Sequence, residues 1–154
     1  MGEVKSRQEI RELAKRLHDL GEKIVFTNGC FDLLHVGHTR YLSQARALGD
    51  KLIVGVNSDD SVRLLKGSNR PITPQAERAE ILSCLSFVDY VVVFDEELPN
   101  ALIEVVRPDF HVKGGDYDIT DLPERELVES LGGKVVIVHE IPGCSTEMII
   151  GRLK

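Results

Sequence analysis

The chain has 154 residues, 42% of them hydrophobic and 29% charged, the balance of a soluble globular protein whose size fits one domain. A formal net charge of −6 argues against a nucleic-acid protein, which needs clustered Lys and Arg, yet leaves room for a phosphate held by a few local cations and backbone amides. Cys30, Cys84 and Cys144 are widely spaced and form no C-x-x-C pair, which speaks against a disulfide framework or zinc site and for reduced thiols in a cytoplasm; there is no secretory signal pattern, and no apolar run reaches the ~18 residues of a membrane span.

Residues 1–21 read as an N-terminal helical extension. Ser6 and Glu9 have capping-box spacing, Ile10, Leu13, Ala14, Leu17 and Leu20 recur at helical spacing, and Gly21 is a natural stop. Lys23 to Thr27 is a short apolar, β-branched run, read as a buried strand ending at Asn28-Gly29-Cys30. A polar stretch through Gly37 leads into a helical pattern of Tyr41, Leu42, Ala45 and Leu48, closed by Gly49. Lys51 to Val56 is a second buried strand, broken by Asn57-Ser58-Asp59, and residues 66–74 form the longest polar loop. A helix over 75–86, a strand over 89–94, a helix over 98–106 and a strand over 109–112 follow. A helix over 123–131 with Gly132-Gly133 past its end, a strand over 135–138 and a helix capped by Ser145 complete the chain.

Strand–helix alternation with continuously apolar strands predicts an α/β fold: one doubly wound, Rossmann-like domain over 1–154, with a five-stranded parallel sheet and flanking helices. Ligands of such sheets bind outside the carboxyl ends of the strands. The chemically loaded segments fall there: Asn28 to His38, Asn57-Ser58-Asp59, Lys113 to Tyr117 and Ser145-Thr146.

His35 and His38 are three apart, so on a helix both face one side. Imidazole N–H groups aimed at phosphate oxygens stabilise charge that builds as phosphorus is attacked, and a helix start adds partial positive charge. Gly29 permits a tight turn near a ligand, and Gly37 lets a phosphate approach the backbone. Two histidines with no nearby third ligand do not suggest zinc, and no metal ligand is assigned. By residue type alone, Lys66 and Arg70 read as solvated loop charges, Lys113 equally well as an exposed lysine, and Ser145 as a helix cap whose unpaired N–H groups would bind an anion, with a plain cap as the lesser reading.

Gly29-Cys30-Phe31-Asp32 through His35-Val36-Gly37-His38 resembles the H-x-G-H signature of the cytidylyltransferase-like nucleotidyltransferase family. Asn57-Ser58-Asp59, Lys66-Gly67 with Arg70-Pro71, Lys113 to Tyr117 and Gly143-Cys144-Ser145-Thr146 extend the resemblance over nearly the whole chain. The set looks like the branch that adenylylates D-glycero-β-D-manno-heptose 1-phosphate. The resemblance implies an enzyme that transfers AMP from ATP, with Mg²⁺, to a sugar 1-phosphate, releasing pyrophosphate. It implies catalytic roles for His35, His38, Lys66 and Lys113. It places Asn28, Gly29, Cys30, Phe31, Gly37, Gly114, Asp116, Ser145 and Thr146 on the nucleotide, and Asp32, Arg70, Arg78 and Tyr117 on the acceptor side. Asp32 also reads as a hydrogen-bonding turn residue and Arg78 as structural; His18, His111 and His139 are left as structural. A homodimer in the cytoplasm is implied, with no nucleic-acid or membrane partner.

One position departs from the family: S-T-T is here Ser145-Thr146-Glu147, a carboxylate that would repel a triphosphate if it pointed inward. ATP is preferred to CTP because Glu140-Ile141-Pro142, ahead of Gly143, carries no arginine as the cytidylyl branch does. Two other readings stay open: a cytidylyltransferase acting on glycerol 3-phosphate or another polyol phosphate, and a nucleotide-binding module without catalysis. No G-x-G-x-x-G follows the first strand, which speaks against a dinucleotide oxidoreductase.

Overall fold

The computed structural model describes residues 1–115, 118–139 and 143–154. In chain order these form β1 (Glu3–Val4), α1 (Arg7–Asp19), β2 (Ile24–Gly29), α2 (Val36–Arg46), β3 (Lys51–Asn57), α3 (Asp59–Lys66) and α4 (Gln75–Ser83). Then come β4 (Tyr90–Phe94), α5 (Asn100–Val106), β5 (Phe110–Gly114), a 3-10 turn (Ile119–Asp121), α6 (Arg125–Ser130), β6 (Lys134–Val138) and α7 (Thr146–Arg152).

The strands form one sheet in the order β1-β4-β3-β2-β5-β6, and every pair is parallel. Side chains alternate along each strand, so Ile24 and Phe26 of β2 join one core while Val25 joins the other. The first core packs α1, α5 and α6 on one face, through Ile10, Leu13, Leu102, Ile103 and Val128; the second packs α2 and α4 on the other, through Leu42, Ala45, Ala79 and Leu82. The chain winds outward from β2 through β3 to β4, then crosses back to place β5 on the other side of β2. The crevice at the carboxyl ends of β2 and β5 is therefore the switch point of the sheet.

The α/β architecture agrees with expectation, and the sheet has six strands where five were expected. The sixth, β1, is two exposed residues paired with Tyr90 and Val91, too short to show any periodicity. It docks closely: a Cβ on Gly2 would lie 2.5 Å from the Val88 carbonyl oxygen. The helix α3 was also not foreseen. Ser58 caps it, its Oγ accepting from Ser61 N at 3.2 Å, but the helix has only eight residues, of which Ser61 and Val62 are buried while Leu64 and Leu65 are exposed, so its apolar side is too short to stand out from the polar loop that follows. Lys66 is consequently the last residue of a helix, and the polar loop begins at Gly67. The capping box of α1 forms as read, with Ser6 Oγ accepting from Glu9 N and Glu9 Oε1 from Ser6 N. Strands β2, β3 and β5 run on through Asn28-Gly29, Asn57 and Lys113-Gly114, so these polar residues sit on the strand ends themselves.

Candidate active site

The helix α2 starts earlier than the apolar pattern suggested, and both histidines belong to its first turn. His35 is the N-cap, with extended backbone, and its Nδ1 accepts from Gly37 N at 3.1 Å. His38, three residues on, accepts from His35 N through its own Nδ1 at 3.4 Å. The pair forms a capping box built from imidazoles instead of Ser and Glu. The rings stack with centroids 3.9 Å apart and planes inclined by 26°. Burial lowers the His35 pKa; burial and the neighbouring His35 take His38 down to about 4. Both rings are then neutral near pH 7, and because Nδ1 accepts, each carries its proton on Nε2 and offers one N–H donor.

Gly37 is needed for this stack. A Cβ there would lie 2.8 Å from Cε1 and Nδ1 of His35 and 3.1 Å from the Cys144 Cβ. The free flank expected to admit a phosphate is filled by the His35 ring, and the Gly37 N–H is spent on that ring.

The bend after β2 supports the same corner. Phe31 adopts a left-handed backbone, φ 49°, rare for a bulky residue. Its buried ring lies against Gly29, where a Cβ would come within 3.1 Å of it, and 5.4 Å from the His38 ring by centroid. Asn28 Oδ1 is buried with no hydrogen-bond partner among the described residues, an acceptor left open on the cleft wall. Burial pushes the Cys30 thiol up, against the pull of Lys66, Arg78 and Arg70, so it is no thiolate nucleophile at neutral pH.

Asp32 and Arg78 stand apart from the acceptor-side role implied for them. The Asp32 carboxylate is buried and accepts from Ile72 N at 2.9 Å, Thr73 N at 2.9 Å and Arg70 Nε at 2.7 Å. Burial alone would raise its pKa; these bonds and the Arg70 charge outweigh it and hold the group below the usual carboxylate range. Its oxygens are occupied in fixing the 67–74 segment, which is the turn-residue reading. Arg78 is 1% exposed and absent from the cleft wall. Its guanidinium donates to the carbonyls of Thr73, Cys30 and Asn57 and to Asp59 Oδ1, knitting β2, β3 and the loop together. The structural reading of Arg78 therefore displaces the substrate-binding one: no donor face reaches a ligand.

On the far wall, Lys113 Nζ lies 3.4 Å from Glu124 Oε1, which also meets His111 Nε2 at 3.1 Å. Burial would raise Glu124, but the His111 hydrogen bond and the Lys113 charge hold it at about 2. Burial lowers His111, so a neutral imidazole donates to a carboxylate that also steadies the lysine. Beside them, a Cβ on Gly114 would come 3.1 Å from the Tyr41 ring, and the Tyr41 hydroxyl donates to Val112 O at 2.8 Å. Ser145 Oγ accepts from Met148 N at 3.1 Å as the α7 cap, and Thr146 Oγ1 donates to Leu33 O at 3.2 Å, tying that helix to the bend after β2.

Fourteen expected residues line one cleft of about 630 Å³, a volume suited to a nucleotide-sized ligand: Asn28, Gly29, Cys30, Phe31, Asp32, His35, Gly37, His38, Lys66, Arg70, Lys113, Gly114, Ser145 and Thr146. Asp116 and Tyr117, and the Glu140-Ile141-Pro142 segment used to choose ATP over CTP, lie outside the described residues. The sequence reading passed over Glu124, Glu97 and Pro99 on the wall. Glu124 is an ordinary helix-start glutamate by pattern, and only its pairing with His111 and Lys113 distinguishes it. His139, left as structural, also lines the cleft. Glu147 lines it too, and its carboxylate is paired with Arg70 at 2.8 Å.

The model of the cytidylyltransferase-like family matches residues 26–152. The chain is 51% identical over 150 residues to the bifunctional protein HldE of Citrifermentans bemidjiense, covering 97% of this chain and 31% of that protein. It is 56% identical over 133 residues to HldE of Geobacter sulfurreducens, covering 86% of this chain and 27% of that one. The chain thus spans about a third of the length of the curated relatives it matches. A crystal structure of a lipopolysaccharide core biosynthesis protein from Thermoplasma volcanium superposes with a TM-score of 0.66 at 31% identity, covering 79% of this chain and 98% of that one. With the paired histidines at the switch point of a parallel sheet, these likenesses establish that the chain belongs to the cytidylyltransferase-like family.

Proposed function

We propose that this chain is an adenylyltransferase that transfers AMP from ATP to a sugar 1-phosphate, D-glycero-β-D-manno-heptose 1-phosphate by its branch resemblance, giving ADP-heptose and pyrophosphate. The observation that carries the reading is the stacked imidazole pair, which offers two neutral N–H donors at a helix start on the cleft wall.

An oxygen of the acceptor phosphate attacks the α-phosphorus in line. The bond from that phosphorus to the bridging oxygen of the β-phosphate breaks, and pyrophosphate leaves with the electron pair. The attacking phosphate is already an anion near pH 7, so no general base is required. Catalysis is then positioning and charge neutralisation. His35 and His38 donate to phosphate oxygens as negative charge grows; Lys66, Arg70 and Lys113 supply cations around the same cleft. Mg²⁺ enters as part of the substrate, MgATP. Among the described residues no group of three or more His, Cys, Asp or Glu is arranged to hold a metal.

The reading also takes the chain to work in the cytoplasm, where nucleoside triphosphates are supplied, and as a homodimer, which light scattering checks. No helix among the described residues is long and apolar enough to cross a membrane. The deciding experiment is pyrophosphate release from ATP and from CTP against a panel of sugar 1-phosphates and polyol phosphates. Release from ATP with heptose 1-phosphate is the expected result. Turnover with CTP and glycerol 3-phosphate alone would move the chain to the cytidylyl branch, and tight ATP binding without release from any acceptor would make it a binding module.

A further inference from the structure

Three parts of the chain meet through one side chain. Arg70 Nε pairs with Asp32 Oδ2 at 2.7 Å, and its Nη1 pairs with Glu147 Oε1 at 2.8 Å. Its two anchors differ in kind. The Asp32 side chain is fully buried and also binds the Ile72 and Thr73 amides, so it fixes the guanidinium from behind. The Glu147 side chain is 68% exposed, and among the described residues its one side-chain hydrogen bond is to Arg70. The Glu147–Arg70 bond is thus a releasable contact on a rigidly mounted cation. Arg70, Glu147, Lys66, Thr146 and both motif histidines line the same cleft.

We propose that Glu147 is a built-in counter-anion: in the free chain it occupies Nη1 of Arg70, and the triphosphate of the incoming nucleotide displaces it. The inference rests on the nucleotide reading above and goes beyond it, because it assigns a role to the position where this chain departs from the family's S-T-T. An exposed carboxylate–guanidinium pair contributes little. A guanidinium–phosphate contact is charge-assisted and favours two parallel bonds, so the exchange runs toward the nucleotide. Glu147 is then a positioning residue. It keeps Arg70 aimed at the cleft mouth when the site is free, and it loosens nucleotide binding by competing for the same donor. A second cation points the same way: Lys66 also draws on the Glu147 charge, so Arg70 and Lys66 are both part-neutralised until a phosphate arrives.

The test is calorimetric titration of MgATP and of inorganic pyrophosphate into the full chain, unsubstituted and as Glu147→Gln, Arg70→Gln and the double variant, with thermal melts of each. Glu147→Gln is expected to tighten both ligands about two- to fivefold, the most that an exposed pair of up to about 1 kcal/mol can withhold. It should lower the KM for ATP without raising kcat. In the Arg70→Gln background the same change should have no effect; if that background melts below the assay temperature, all four proteins are titrated at a temperature below its melt. Unchanged or weaker binding by Glu147→Gln would overturn the proposal. So would equal tightening in the Arg70→Gln background, since Glu147 would then act only as a general negative charge. An unsubstituted chain that binds neither ligand would overturn the nucleotide reading and this inference with it, whereas binding that ignores Glu147 overturns this inference alone.

Discussion

His35 and His38 cap their own helix with each other: the Nδ1 of each ring accepts a main-chain N–H of the first turn, and the rings stack at 3.9 Å. The cap does two jobs at once. It satisfies two of the amides a helix start leaves unpaired, and it fixes both rings in the tautomer with Nε2–H free to donate. Replacing either by alanine should lower turnover about 10²–10³-fold, the scale for losing one donor to transition-state charge. His35→Ala should also cost about 1 kcal/mol of stability through the lost cap, whereas His35→Asn, a good cap with no imidazole, should keep stability and still lose turnover. Pyrophosphate release beside urea melts checks both; near-normal rates in both alanine variants would end the catalytic assignment.

The free His38 ring should titrate near about 4, far below an ordinary histidine. The unfolded chain takes up this proton around 6.5 and the folded chain around 4, so the unfolded state binds more protons between those values. The His38 contribution to stability therefore falls as pH drops through that window. Ring-proton NMR against pH on the ligand-free chain measures it, and a midpoint at 6 or above would contradict the buried, neutral pair.

Gly37→Ala should disturb function more than fold. The added methyl would meet the His35 ring at 2.8 Å, and the ring must turn away to admit it. We expect turnover to fall roughly 10- to 100-fold, the scale of an ångström's misplacement of a reacting group, with a far smaller change in melting temperature. A normal rate would show that the stack is dispensable.

Lys66 and Arg78 should separate chemistry from architecture. Lys66 is exposed at the end of α3 beside the cleft, so Lys66→Ala should leave the melt unchanged and slow turnover at least about tenfold. Arg78 is buried and donates to three carbonyls and Asp59, so Arg78→Ala should destabilise by about 3–5 kcal/mol, the cost of breaking a buried charged network. Paired denaturant melts and rate measurements distinguish them. A stable but inactive Arg78→Ala would restore its acceptor-side role.

Glu124 gives a second pH signature, on the acid side. Its folded pKa of about 2 lies below the unfolded value near 4.3, so its contribution is present above about 4.3 and is lost as pH falls toward 2. Urea melts of the unsubstituted chain and Glu124→Gln should differ clearly at pH 6, by about half as much near pH 3, and converge only as pH approaches 2. A gap that stays constant over that range would mean the His111–Glu124–Lys113 contacts do not carry it.

By itself the sequence determined the strand–helix alternation, the parallel doubly wound sheet and the rim where function lies, because apolar periodicity and turn chemistry are local and survive without tertiary context. It also singled out His35 and His38, whose spacing places both on one helical turn. What it left undecided depends on partners distant in the chain. Glu147 read as a possible clash with a triphosphate until the fold brought it to Arg70, 77 residues away. Arg78 and Asp32 carried the same residue-type signal as ligand-binding groups, and only burial against Cys30, Asn57 and the 67–74 segment made them structural. Glu124 gained meaning from His111 and Lys113, on the neighbouring strand β5. A charge's role is set by how much water it keeps and which opposite charge it meets, and both are properties of the packed chain.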